Sequence, residues 1–219
     1  MTMSEIKAAL VERSLTARWL SRSDASDLKE AEDALIASWT DAGYDMDVHE
    51  SQIIEDFASM KQVEPSIGTQ ILVYRDTSSS ADNEPIVAVG ILAPHKLSPT
   101  RADYLKSRPA PEYAAYPGTM CLDWLGVKSE YRNRKDHIGS LMLQHLISES
   151  HHAGYDFRCE TVEGADRTYY TGRHGLSHVD SDSSDTGHPV FYALRPPCCA
   201  TASMAPKSGT FGHAHTDTG

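Results

Sequence analysis

The sequence predicts a single α+β domain, layered α/β/α, in which a mixed and mostly antiparallel sheet carries helices on both faces. Three observations point there. Runs of β-branched and aromatic residues alternate with amphipathic stretches in the order β α α β β β α β α β, a mixture that suits one sheet with helices packed against it. The 219 residues are 40% apolar, and a chain of this size buries roughly 70% of the surface it exposes when unfolded, without disulfides or a structural metal. The first residues carry Glu5 and Glu12 and lack the apolar run of a signal peptide or membrane span, so no membrane contact is expected.

Residues 1–14 are set apart as an N-terminal extension, and Leu15–Ser21 alternates as a strand. Ser23, Asp24 and Ser26 are helix N-cap residues, and the stripe Leu28, Ala31, Leu35, Trp39 predicts a helix ending near Gly43. Asp47-x-x-Glu50 opens a second helix with Ile53, Ile54, Phe57 and Met60 inward. Ile71–Arg75 and Ile86–Leu92 read as an antiparallel pair of strands joined by the polar stretch Asp76–Pro85. Residues 94–118 hold five prolines with Tyr104, Tyr113 and Tyr116 and little periodicity, the composition of an insertion or lid.

Met120–Val127 is the next strand. Ile138–Glu149 is the strongest helix, with Ile138, Leu141, Met142, His145 and Leu146 on one face and Gly154 placed to stop it. Tyr155–Val162 returns as a strand, Ala165–Tyr170 starts a short helix, and Val190–Leu194 closes the sheet after the acidic turn Asp180–Gly187. The domain therefore spans 15–195, and 196–219 is a disordered tail whose Cys198, Cys199, His213 and His215 match no zinc spacing. Trp19, Trp39 and His145 read as core residues.

Charge narrows the function. The net charge is −11, which argues against coating duplex nucleic acid and leaves room for a cationic partner. Residues 1–64 hold 14 acidic and 6 basic side chains, whereas Lys128–Lys135 holds four basic residues and one acidic. Four cysteines without CxxC spacing, two of them adjacent, fit the reduced cytoplasm.

The chemistry lies in residues 120–140. A strand leads through a loop bearing Arg132, Arg134 and Lys135 into a helix whose first free N–H groups come from His137, Ile138, Gly139 and Ser140. Such a helix start, with cations beside it, binds phosphate. Gly139 lets a ligand approach the backbone.

This segment resembles the cofactor motif of the GCN5-related N-acetyltransferase (GNAT) superfamily, in which Arg/Gln-x-x-Gly-x-Gly/Ala opens a helix after a strand ending in Val. The matching residues are Arg134-Lys135-Asp136-His137-Ile138-Gly139. Ala165 through Tyr169-Tyr170 to Gly175-Leu176 resembles the family's Ala-x-x-Phe-Tyr-x-x-x-Gly-Phe with an insertion, and HPVFYALR its closing strand. His137 stands where the pattern has its first glycine. Val162 and Glu163 stand near the place of a family Asn.

The resemblance implies a splayed central strand pair with acetyl-CoA, the co-substrate, wedged along Leu125-Gly126-Val127, and direct transfer to a primary amine, either a small cationic amine or a protein lysine. Val127 N–H would serve the acetyl oxygen. Asp123, expected on the same strand face as Leu125 and Val127 and opposite Trp124, would be the base, with a raised pKa. Tyr170 or Tyr169 would protonate the leaving thiolate, no metal is needed, and a homodimer is compatible. The alternatives are a non-catalytic ligand- or protein-binding module on the same fold, an unrelated α+β interaction domain, and acetylation of aminoacyl-tRNA, against which the charge argues.

Overall fold

A computed structural model describes residues 1–44, 46–60, 69–78, 84–95, 118–132, 135–161, 168–178 and 189–196. The residues expected as an extension form a helix, α1 (Met3–Glu12). It starts in a capping box, with Thr2 Oγ1 accepting from Glu5 N–H and the Glu5 carboxylate accepting from Thr2 N–H. Its i,i+4 apolar pair, Ile6 and Leu10, is buried in the core. That packing makes α1 part of the folded body.

The helices α2 (Ala25–Thr40) and α3 (Met46–Met60) follow strand β1 (Leu15–Trp19). Strands β2 (Gln70–Asp76), β3 (Ile86–His95) and β4 (Thr119–Val127) come next, and then α4 (Ile138–His152) and β5 (Asp156–Glu160). A two-residue β6 (Ser177–His178), absent from the sequence-based order, and β7 (Val190–Ala193) complete the sheet. Its order is β1-β2-β3-β4-β5-β7-β6, antiparallel at each junction except β4–β5.

Helices cover both faces. On one, α1 and α4 bury Ile6, Leu10, Met142 and Leu146 against Tyr74, Leu92 and Phe157. On the other, α2 and α3 bury Leu28, Leu35, Ile53 and Phe57 against Ile71, Val73 and Trp124. Leu28 and Phe57, at 1% and 0% exposure, each contribute about 2 kcal/mol of apolar burial. Ile54, expected inward, is 43% exposed, because it follows Ile53 by one residue and so by ~100° of helix. Among the described residues no helix is long and apolar enough to cross a membrane.

Two irregularities position the site. β4 pairs with β3 along its length, but its parallel pairing with β5 runs only from Thr119↔Asp156 to Leu122↔Cys159. Beyond Leu122 the two strands part. The second irregularity is a β-bulge: Leu122 lies opposite Leu92 and Trp124 opposite Ile91, so Asp123 is the extra residue.

The insertion residues Tyr104, Tyr113 and Tyr116, the turn 180–187, Ala165, and the tail residues Cys198, Cys199, His213 and His215 lie outside the described residues.

Candidate functional site

The parting of β4 and β5 opens a cleft of about 400 Å³. Of the residues singled out in the sequence, it gathers Asp123, Leu125, Gly126 and Val127 from β4, with Arg132, Gly139, Tyr169 and Tyr170. The cleft passes through the sheet. Leu125, Val127 and Leu143 line its α4 side, and Ser38, Trp39 and Ala42 of the α2 end line the other.

The register fixes which backbone groups face the gap. Lys128 N–H donates to Val87 C=O at 3.0 Å, so in the antiparallel β3–β4 ladder the backbone groups of Leu125 and Val127 point away from β3 and toward β5. Trp39 Nε1 accordingly donates to Leu125 C=O at 3.2 Å, and Arg132 Nε to Val127 C=O at 2.7 Å. Their N–H groups present a strand edge with donors aimed into the cleft. Gly126 faces α2, where a Cβ would collide with Ser38 Oγ and lie 2.7 Å from Leu35 Cδ1. Its bare backbone lets α2 sit close against β4.

The loop after β4 tightens through a 3-10 turn, Ser129–Tyr131, whose Tyr131 hydroxyl donates to Asp76 Oδ2 at 2.7 Å. Lys135 is exposed, and Arg134 lies outside the described residues. His137 is the residue before α4 and has φ 48° and ψ 46°, the left-handed conformation that glycine adopts freely and that costs other residues about 1–2 kcal/mol. His137 thus holds a backbone shape that glycine would take without strain.

Arg13, at the end of α1, bridges to this loop, with Nε donating to Asp136 C=O at 2.8 Å and Nη1 to Ala9 C=O at 2.9 Å. Ile138 points into the core at 3% exposure and can offer a ligand only its N–H. With Gly139 and Ser140 it supplies the N–H groups that the helix itself leaves unpaired. A Cβ at Gly139 would meet only Val127 Cγ2 at 3.4 Å and Leu125 Cδ2 at 3.9 Å, ordinary contacts. The protein's own packing does not demand a glycine there.

The bulge corrects the expected side of Asp123. Strict alternation put it with Leu125 and Val127 and opposite Trp124. The extra residue instead turns Asp123 and Trp124 to the α2/α3 face, where Asp56 of α3 accepts from Trp124 Nε1 at 2.7 Å. Asp123 shares that face with Cys121, and with Arg158 and Glu160 of β5. Arg158 donates to Cys121 Sγ at 3.2 Å and pairs with Glu160.

The cleft leaves Asp123 in contact with solvent, but the protein packed around it raises its pKa to about 6, and the Asp56 carboxylate adds to the rise. Cys121 acts the other way by hydrogen bonding to it, Glu160 raises it further, and Arg158 lowers it. Burial, with Asp123 beside it, pushes the Cys121 thiol up to about 12. It therefore stays protonated near neutrality.

The two tyrosines sit in a π-helical turn, Tyr169–Arg173. The turn is a single widened one, the form in which π-helix usually occurs, and it sits between Thr168 and Gly175. Tyr169 OH shares a 2.9 Å hydrogen bond with Ser140 Oγ in the first turn of α4, and its ring meets that of Tyr170 edge-on at 5.1 Å. Tyr170 stacks on Phe191 of β7 at 4.9 Å, and burial pushes its phenol pKa up.

No protein-family model matches the chain, and no curated protein matches it in sequence. Solved structures do match. An acetyltransferase from Streptococcus agalactiae superposes with a TM-score of 0.56 at 11% identity, over 83% of this chain and 99% of that one. PaiA N-acetyltransferase from Thermoplasma acidophilum, in complex with coenzyme A, gives 0.51 at 17% identity, over 83% and 99%. A GNAT family acetyltransferase from Brucella melitensis, in complex with acetyl-CoA, gives 0.50 at 12% identity, over 83% and 88%. The chain has the GNAT fold.

Within this GNAT fold, the sequence reading missed several residues that frame the cleft. Trp39, expected in the core, lines the cleft and bonds Leu125. Tyr44 also lines it, and Asp56 and Arg158 set the surroundings of Asp123. A lone Trp at a helix end and an acid on an amphipathic helix carry no spacing signal. Only the sheet brings them to Asp123.

Proposed function

We propose that the chain is an acetyl-CoA-dependent N-acetyltransferase that moves an acetyl group to a primary amine by direct transfer. The observation that carries this reading is the early end of β4–β5 pairing, which opens a cleft lined at once by a donor-bearing strand edge, a carboxyl of raised pKa and two tyrosines. The donor set suits acetyl-CoA. Unpaired N–H groups at the start of α4, with Lys135 and the sequence neighbour Arg134, match a pyrophosphate. The Leu125 and Val127 N–H groups match the amide-bearing arm. When bound, acetyl-CoA supplies the acetyl group as an activated thioester.

In this reading Val127 N–H donates to the negative charge that develops on the acetyl oxygen. Asp123, unprotonated above about pH 6, accepts the proton of the incoming ammonium directly or through water. Tyr170 donates its proton to the departing thiolate, because Tyr169 OH is already engaged with Ser140 and better serves to hold the cleft wall. Cys121, kept as a thiol, forms no acyl-enzyme. The acetyltransferase domain comprises 15–195 together with α1. Cys121 and Cys159 are free and buried, which suits a reduced cytoplasm, and a homodimer is part of the same proposal.

Calorimetric titration with acetyl-CoA at moderate salt tests it: micromolar binding, weakened by Arg134→Ala, is expected. A second reading, a ligand-binding module without turnover, is favoured by His137 in the position of the family glycine. Binding without amine-dependent release of thiol would select it.

A further inference from the structure

We propose that the acceptor is a primary monoamine carried on a flat apolar body, an arylalkylamine, with its amine at Asp123 and its ring against Trp39 and Tyr44. The proposal rests on the acetyltransferase reading and specifies its substrate class. Three carboxylates converge on the α2/α3 side of the cleft, and two are committed: Asp56 to Trp124 Nε1 and Glu160 to Arg158. Asp123 accepts a hydrogen bond only from the weak Cys121 thiol donor among the described residues, with the Arg158 charge acting on it at longer range. Among the described residues, Asp123 is thus the one of the three carboxylates without a nitrogen donor, and so the one open to an ammonium.

The wall beside that carboxylate is aromatic and fixed. Trp39 and Trp124 meet edge-to-face at 4.9 Å, and His49 lies 5.8 Å and 5.7 Å from them. Each indole N–H is tied down, to Leu125 C=O and to Asp56. Tyr44 packs on Trp39 at 4.7 Å, lines the cleft, and is still 39% exposed. An exposed ring held on a rigid aromatic platform at a cleft is a surface for stacking a planar apolar group or for a cation on its face.

The step balances. The amine nitrogen, after its ammonium loses a proton to Asp123, bonds the acetyl carbon. The carbon–sulfur bond breaks, the thiolate takes a proton from Tyr170, and the second proton of the attacking nitrogen, lost as the amide forms, passes through water to restore the Tyr170 phenol, while Asp123 releases its proton to solvent. The products are an N-acetyl amide and the free thiol.

The test measures thiol release and amide mass with acetyl-CoA and phenethylamine, a straight-chain monoamine, spermidine or a lysine peptide, alongside calorimetry with acetyl-CoA. Phenethylamine is expected to exceed the others in kcat/KM by about tenfold. Tyr44→Ala is expected to erase most of that preference, and Tyr44→Phe, which keeps the ring, to retain it. Preference for spermidine or the peptide, or an undiminished aryl preference in Tyr44→Ala, overturns the proposal. Acetyl-CoA binding without aryl preference removes this inference alone, whereas absent acetyl-CoA binding removes the enzyme reading beneath it.

Discussion

Asp123 illustrates how a single extra residue in a strand decides chemistry. Its type and neighbourhood can be read from Met120–Val127, but its side depends on β4 slipping one residue against β3, a property of two strands that no single stretch encodes. With its pKa raised to about 6, the proposed base is protonated below that pH and competent above it. Log kcat/KM is thus expected to rise through an acidic limb near pH 6 and level off above it. Asp123→Asn should lose that limb and about 10²-fold or more in kcat. Asp56→Asn keeps an acceptor for Trp124 while removing a charge that raises Asp123, so the limb should move to lower pH. A limb unmoved in both variants would exclude Asp123 as the base. At His137, the left-handed backbone predicts that His137→Gly stabilises the protein by about 1 kcal/mol, read by chemical denaturation. A loss of stability would mean that the imidazole makes a compensating contact.

At the scale of elements, β1 through β4 and helices α2 to α4 were legible because each carries its own periodicity and flanking turn residues. The helix α1 was not drawn from the sequence, although Thr2-x-x-Glu5 is a capping signature before the Ile6 and Leu10 pair. The spacing anomaly before Gly175 was visible, but the π-helical turn there was not, since spacing does not state which hydrogen bonds a helix gives up. The role of α1 follows from the Arg13 bridge. Arg13→Gln removes the guanidinium that holds Asp136 C=O and should raise the KM for acetyl-CoA several-fold with little change in kcat. An equal fall in kcat at constant KM would place the effect in general folding instead.

For the whole molecule, composition and element order led to one mixed sheet, but the splay of its central strands came only with the resemblance to GNAT proteins, because strand order and pairing length are non-local. The structure adds that the two parts of the sheet, β1 to β4 and β5 with β7 and β6, are joined by four residue pairs and the crossover helix α4. We expect a seam that short to divide the sheet, though not the core that spans it, into two parts that open separately. Amide hydrogens of β5 and β7 should therefore exchange faster than those of β2 and β3, whose ladder joins six residue pairs. Equal protection across the seam would refute the division. A ligand seated in the opening lends the missing strand. Its binding energy, RT ln(1 + [L]/Kd), would then appear as slowed exchange along β5, which lines the opening, and onward into β7. The gap proposed to admit the substrate is also where the pairing of the central strands stops short, so turnover and breathing of the sheet should share one temperature dependence.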